Sequence, residues 1–244
     1  MSRVIAMIPA RFAATRFPGK LLIELEGKTI IRRTFEAVRD TKLFDEVIVV
    51  CDDVRIVKEI ETCRGNTFFS QKEHESGTDR IAEAALDTEA DIIVNIQGDE
   101  PFISKDALEK VIALFKNDEV QIGSLILGIS DPEKINDSNC VKVVVDKQFR
   151  AMYFSRAPIP YFRDESLPKT AWQHIGVYAF RKEALMKITR LPISDLEQKE
   201  KLENLRMLEN GIPIYMAVID DVGISIDTEQ DFEKAKNYLK SRAT

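Results

Sequence analysis

Only three cysteines occur in the 244 residues, Cys51, Cys63 and Cys140, and no two form a C-x-x-C pair, so neither a disulfide framework nor a zinc site is indicated. No apolar run is long enough to span a bilayer, and the first one, Val4-Ile5-Ala6-Met7-Ile8, is too short and wrongly flanked for a signal peptide. A cytoplasmic protein with reduced thiols and no membrane insertion is expected. Internal repeats, low-complexity segments and an obvious linker are also missing. Two nucleotide signatures are absent as well: Lys20 is followed by Leu21, which breaks G-x-x-x-x-G-K-[ST], and there is no G-x-G-x-x-G. Histidine is confined to His74 and His174.

What is present is a local excess of positive charge in an acidic chain. The formal net charge is −6, yet from Met1 to Arg33 seven Lys/Arg (Arg3, Arg11, Arg16, Lys20, Lys28, Arg32, Arg33) stand against Glu24 and Glu26. Such a patch suits a small anion better than a nucleic-acid backbone. Arg11, Arg16 and Lys20 fall in Ile8-Pro9-Ala10-Arg11-Phe12-Ala13-Ala14-Thr15-Arg16-Phe17-Pro18-Gly19-Lys20, directly after the apolar run. Ligands of open α/β sheets sit beyond the carboxyl ends of such strands. Composition alone would make the same stretch a solvated basic loop.

Val47–Val50 and Ile92–Ile96 are further candidate buried strands, and Ile30–Val38, Val54–Cys63, Asp79–Leu86 and Ala107–Phe115 have helical spacing. This βαβα rhythm predicts a mainly parallel sheet with helices on both faces. Near Asp131 it changes: Cys140–Val145 and Ala151–Phe154 flank Asp146-Lys147-Gln148 as a hairpin would, which predicts an antiparallel insertion. Glu229–Leu239 reads as a final helix with Thr228 as N-cap and Asp231 three residues on. With 44% hydrophobic content the chain suits a single domain, 1–244, with an insertion over about 131–195.

Asn95-Ile96-Gln97-Gly98-Asp99-Glu100-Pro101 ends an apolar strand in an amide, a glycine and two carboxylates, a set able to anchor magnesium beside substrate phosphates. A plain strand-ending turn uses the same residues. Asp227, before the last helix, is either a second anchor or a helix cap, and Ser76-Gly77-Thr78-Asp79 is also consistent with a turn capped by Thr78. Arg156, His174 and Tyr178 have ordinary readings as an ion-pair residue, a structural histidine and part of a β pattern. The acids of Glu197–Arg206 read as a solvated helix face.

These motifs, taken in order, resemble those of 3-deoxy-manno-octulosonate (Kdo) cytidylyltransferases: Pro9-Ala10-Arg11 through Lys20, Ser76-Gly77-Thr78-Asp79-Arg80, Asn95 to Pro101, Tyr153 to Pro160, His174-Ile175-Gly176-Val177-Tyr178, Leu196-Glu197-Gln198 to Arg206, and Ile226-Asp227-Thr228. The resemblance covers nearly the whole chain. It implies a Rossmann-like nucleotidyltransferase fold and the activation of Kdo, or a close analogue, with CTP to give CMP-Kdo and pyrophosphate for lipopolysaccharide synthesis. It implies Lys20, Asp99 and Asp227 as catalytic residues, with magnesium on the two aspartates. Ala10, Arg11, Arg16, Lys20, Ser76, Gly77 and Thr78 would bind the nucleotide; Arg80, Gln97, Arg156, His174, Tyr178, Glu203 and Asn204 would bind the acceptor. The insertion would also carry the contacts of a homodimer. The chain departs from the family pattern at Ala14 (usually Ser), Asn204 (usually Gln), Ser225 (usually Gly) and Glu229 (usually Pro). The shorter Asn204 leaves an 8-amino analogue of Kdo open as acceptor. Another sugar nucleotidyltransferase and a nucleotide-binding regulator without turnover are the competing readings.

Overall fold

The structure, a computed structural model, describes residues 2–12, 19–74 and 76–242. In chain order its elements are β1 (Val4–Ala10), β2 (Glu24–Leu25), β3 (Lys28–Thr29), α1 (Ile30–Asp40), β4 (Glu46–Cys51), α2 (Val54–Thr62), β5 (Asn66–Phe69), α3 (Gly77–Leu86) and β6 (Ile92–Asn95). There follow α4 (Lys105–Ala113), β7 (Ile122–Ile129), α5 (Pro132–Asn136), β8 (Lys142–Val145), β9 (Ala151–Ser155), β10 (Ala171–Arg181), α6 (Lys182–Ile188), α7 (Asp195–Glu200), α8 (Asn204–Glu209), β11 (Tyr215–Ile219) and α9 (Glu229–Arg242). They form two compact units, Met1–Leu108 with Gly223–Thr244, and Glu109–Val222.

In the first unit β1 is flanked by β4 and β6, both parallel to it, and β5 extends the sheet beyond β4 in parallel. A strand with neighbours on both edges and helices over its faces has no polar side to show. Ile5, Ala6, Met7 and Ile8 are accordingly 0% exposed, which is why the run is continuously apolar rather than alternating. The α1 helix buries Ile30, Ile31, Thr34, Phe35 and Val38, a stripe at three- and four-residue spacing, and Thr29 caps it by accepting from Arg32 N at 3.2 Å. The α3 helix begins earlier than its apolar spacing predicts. Ser76, not Thr78, is the N-cap: its hydroxyl accepts from Asp79 N at 3.1 Å, while Thr78 is buried in the first turn. The α9 helix starts as expected, with Asp231 N donating to Thr228 Oγ1 and Thr228 N to Asp231 Oδ2.

Gly223 permits a close approach in this unit, since a Cβ there would lie 2.3 Å from the carbonyl oxygen of Phe102. Backbone cannot yield as a side chain does. Gly223→Ala is therefore expected to cost about 2 kcal/mol and lower the melting temperature by roughly 4–8 °C. A thermal melt superimposable on that of the parent would contradict this.

The second unit is mostly antiparallel. Pairing of β7 with β10 runs from Ile122↔Phe180 to Ile129↔Ala171, β11 lies parallel to β7, and β8 pairs antiparallel with both β9 and β10. The β8–β9 hairpin is the one its flanking runs predicted. Between Ile175 and Tyr178 the β10 register shifts, leaving Gly176 and Val177 as a bulge. Among the described residues no helix is long and apolar enough to cross a membrane.

Candidate active site

The basic loop leaves the carboxyl end of β1 with both described ends pinned. Phe12 N donates to Asp52 Oδ1 at 3.1 Å, Gly19 N donates to Phe12 O at 3.3 Å, and the Arg55 guanidinium lies 3.4 Å from the centre of the Phe12 ring. Gly19 has φ +68°, a left-handed conformation that glycine adopts without strain, and it turns the chain into Lys20. Arg16 and Ala14 lie outside the described residues.

Lys20 is buried, at 9% exposed, and its ammonium donates to Asp99 Oδ2 at 2.5 Å and to Asp227 Oδ1 at 3.2 Å. Two carboxylates far apart in sequence thus meet at one cation. Their segments are joined independently of the side chains, because Ile226 N donates to Asp99 O at 3.0 Å. Glu100 belongs to the same cluster: burial, then the charge of Asp99, pushes its carboxyl up to about 8, opposed by a hydrogen bond from the Ser225 hydroxyl. Ser225, a departure from the family pattern, thus has a structural partner.

Ala10, Arg11, Ser76, Gly77, Arg80 and Gln97, all singled out in the sequence, line one cavity of about 180 Å³, together with Pro9 and His74. A Cβ on Gly77 would come 3.1 Å from the Pro9 ring, so the glycine lets α3 close onto the end of β1. Arg80 donates through Nη2 to Asp52 Oδ2 at 2.9 Å, while its buried Nη1 has no partner among the described residues. Arg80 and Gln97, given to the acceptor by the resemblance, share this cavity with Ala10, Arg11, Ser76 and Gly77, given to the nucleotide. Thr78 is absent from the lining. It lies beneath, accepting from Asn95 Nδ2 at 3.5 Å.

The second unit gathers its own set. His174 and Tyr178, on either side of the bulge, have ring centres 5.3 Å apart, and Phe154 meets His174 edge-on at 5.0 Å. Ser124 Oγ donates to Val177 O at 2.8 Å and lies 3.0 Å from His174 Nε2, which must then be the donor to it. Burial pushes the His174 pKa down to about 4, so the imidazole is neutral at physiological pH and brings no charge to an anionic acceptor. Tyr178 is held by Asn204, and burial with the nearby Glu203 charge raises its pKa well above the phenol range. The Asn204 side chain is buried, with Oδ1 unpartnered among the described residues.

Arg156 stands just past β9 in a rigid setting. Its Nε donates to Glu200 O at 2.8 Å, Nη1 to Ser138 O at 2.9 Å and Nη2 to Lys201 O at 3.5 Å. Fully buried Lys142 holds the Arg156 carbonyl at 2.8 Å, and the Glu200 carboxylate accepts from Arg156 N at 2.9 Å. These bonds use Nε and one hydrogen of each terminal nitrogen, leaving one hydrogen on each for a carboxylate.

The His174 shift has a stability consequence. Its unfolded pKa is 6.5 and its folded pKa about 4, so the unfolded chain binds the extra proton between those values. Stability is complete above about pH 6.5 and falls as pH drops toward 4, by at most about 3 kcal/mol. His174→Gln should flatten this part of the profile; equal acid sensitivity of parent and variant in chemical-denaturation curves would refute the assignment.

A cytidylyltransferase family profile matches residues 5–222. The 3-deoxy-manno-octulosonate cytidylyltransferase of Flavobacterium johnsoniae is 51% identical over 241 residues, covering 98% of this chain and 99% of its own, and that of Christiangramia forsetii is 49% identical with 98% and 97% covered. The chain belongs to the 3-deoxy-manno-octulosonate cytidylyltransferase family. A solved CMP:2-keto-3-deoxy-manno-octonic acid synthetase complexed with CTP superimposes with a TM-score of 0.94 at 34% identity, covering 99% of this chain and all of the other. A 4-diphosphocytidyl-2C-methyl-D-erythritol synthase from Anaerococcus prevotii, 18% identical at a TM-score of 0.66, shares the fold. In this cytidylyltransferase, sequence reasoning missed Ser124, Lys142 and Glu200, which touch His174 or Arg156, and His74, which lines the same cavity as the residues it selected.

Proposed function

We propose that this chain transfers the cytidylyl group of CTP to the anomeric 2-hydroxyl of Kdo or a close analogue. The convergence of Lys20, Asp99 and Asp227 carries the reading, because it puts a cation and two acids together beyond the carboxyl ends of β1 and β6, where a direct transfer needs no protein nucleophile. The acceptor oxygen forms a bond to the α-phosphorus as the bond to the β-phosphate oxygen breaks, and pyrophosphate leaves in line. Such a transfer depends on positioning and charge. Arg11 and Lys20, with Arg16 assigned from sequence, neutralise the triphosphate, while Gln97 and Arg80 order the ligand beside them.

The donor set fits magnesium. Asp99 and Asp227 already share one cation and both offer hard oxygens, and magnesium is usually anchored by one or two carboxylates while water and substrate phosphate oxygens complete its shell. Held there, magnesium would lower the pKa of the acceptor hydroxyl and offset charge on the phosphates.

In the second unit Arg156 supplies the positive charge for the sugar carboxylate, and neutral His174, Tyr178, Glu203 and Asn204 supply hydrogen bonds for its hydroxyls. Arg156→Lys should raise the acceptor KM with CTP affinity nearly unchanged, because an ammonium cannot reproduce a planar two-point contact. A loss of about 1.5–3 kcal/mol means a roughly ten- to hundredfold lower acceptor kcat/KM. A defect confined to CTP would remove Arg156 from the acceptor site. Cytoplasmic location and homodimer assembly belong to the same proposal, the latter read by light scattering.

Initial rates of pyrophosphate release with CTP, magnesium and a panel of acceptors test the reading. Release should require a 2-keto-3-deoxy sugar acid; equal rates with neutral sugars would favour another sugar nucleotidyltransferase, and binding without release a regulatory protein.

A further inference from the structure

Arg156 needs more than its charge to recognise a carboxylate. A planar two-point contact requires the guanidinium to be held in one orientation, and a long side chain free to turn loses that advantage. In the second unit one residue holds it twice. Glu200, the last residue of α7, receives the Arg156 side chain on its own carbonyl, from Nε at 2.8 Å, and the Arg156 main chain on its carboxylate, from N at 2.9 Å.

The carboxylate is bound on its other oxygen as well. Ser155, 2% exposed, donates from Oγ to Glu200 Oε1 at 2.6 Å and accepts from Ala157 N at 3.0 Å, so the end of β9 is fastened to α7 at both Ser155 and Arg156. Burial opposes ionisation of Glu200, but the hydrogen bonds from the Ser155 hydroxyl and the Arg156 amide outweigh it and its pKa is lowered. An acid that the sequence reads as part of a solvated helix face is thus committed to β9. Lys142 closes the opposite side, donating to Arg156 O at 2.8 Å and to Asp137 O at 2.7 Å. Glu203 and Asn204 follow Glu200 closely in the chain, so the same latch sets Arg156 in register with the groups assigned to the sugar hydroxyls.

Resting on the acceptor site proposed above, we infer that Glu200 is a positioning residue for the transfer: it touches neither substrate, but fixes the plane and reach of Arg156 so that the two remaining guanidinium hydrogens meet the carboxylate of the sugar acid. Its loss costs acceptor recognition and leaves the nucleotide alone.

Initial rates with Kdo varied at saturating CTP and magnesium test this on the parent, Glu200→Ala, Glu200→Gln, Arg156→Ala and the double variant Glu200→Ala/Arg156→Ala, with CTP affinity measured without acceptor and a thermal melt as fold check. Glu200→Ala should raise the Kdo KM about tenfold, while kcat and CTP affinity change less than about threefold. Glu200→Gln keeps an oxygen for Arg156 N and an amide to donate to Ser155 Oγ, so most of the loss should be recovered. Once Arg156 is alanine, adding Glu200→Ala should change the acceptor kcat/KM less than about threefold, because Glu200 acts through that side chain. Glu200→Asp, which keeps the charge but not the reach, should show the same rise in KM and covers the case in which the alanine variant does not fold. An equal loss with and without the Arg156 side chain would make Glu200 a purely structural residue, and a defect in CTP affinity would place it away from the acceptor; either result overturns the inference. If the parent releases no pyrophosphate with Kdo, the proposed reaction fails, and calorimetric binding of Kdo to the same proteins reads the same coupling; absence of that binding in the parent would defeat both.

Discussion

Asp99→Asn is expected to lower turnover at least about a hundredfold with the fold intact. The substitution keeps the side-chain shape and leaves the bond from Ile226 N to the Asp99 carbonyl, so the loop carrying Asp227 stays tied. What it removes is the charge that holds the Lys20 ammonium at 2.5 Å and that would anchor magnesium. Electrostatic groups in such sites contribute on the order of 3–4 kcal/mol to the transition state, which is two orders of magnitude or more in rate. Asp227→Asn should fail in the same way. Its carboxylate is 49% exposed and 3.2 Å from Lys20, so solvent screens it more and excess magnesium should restore it further. Circular dichroism with pyrophosphate release at limiting and saturating magnesium decides; near-normal rates at limiting magnesium would remove either residue from the site.

Lys20→Ala should show the second large effect, in both CTP affinity and the chemical step. With the ammonium gone, Asp99 and Asp227 face each other beside Glu100, whose carboxyl the charges of Asp99 and Asp227 already help to push up. Incoming triphosphate then meets uncompensated acids. Single-turnover rates at saturating CTP isolate the transition-state part, expected to fall about a hundredfold, from the binding part. If both quantities matched the parent, the stretch from Arg11 to Lys20 would be no more than a solvated basic loop.

Which features could be read from sequence follows from how far each interaction reaches. The β1 strand was legible because burial on both faces demands a continuous apolar run, and the β8–β9 hairpin because two such runs flank a polar turn. The start of α3 was misread because its apolar spacing begins after the capping residue; Ser76 precedes the pattern it serves. The meeting of Asp99 with Asp227 has no local signature, and only the resemblance paired them. His74 sits in Gln71-Lys72-Glu73-His74, which carries no motif, and nothing local says that Glu83, nearly two turns into α3, lies 2.7 Å from its ring. Arg156 was legible as a cation for a carboxylate, but not as a side chain already bonded to Glu200, Ser138 and Lys201 carbonyls, since those contacts come from chain folded back onto β9.

Phosphorus NMR of one reaction mixture tests the central claim most directly. With CTP, magnesium and Kdo, the account predicts that the three CTP resonances give way to equal amounts of a sugar-linked phosphodiester and pyrophosphate, and that nothing changes when Kdo is left out. Formation of CDP with phosphate, or CTP consumption independent of Kdo, would contradict it.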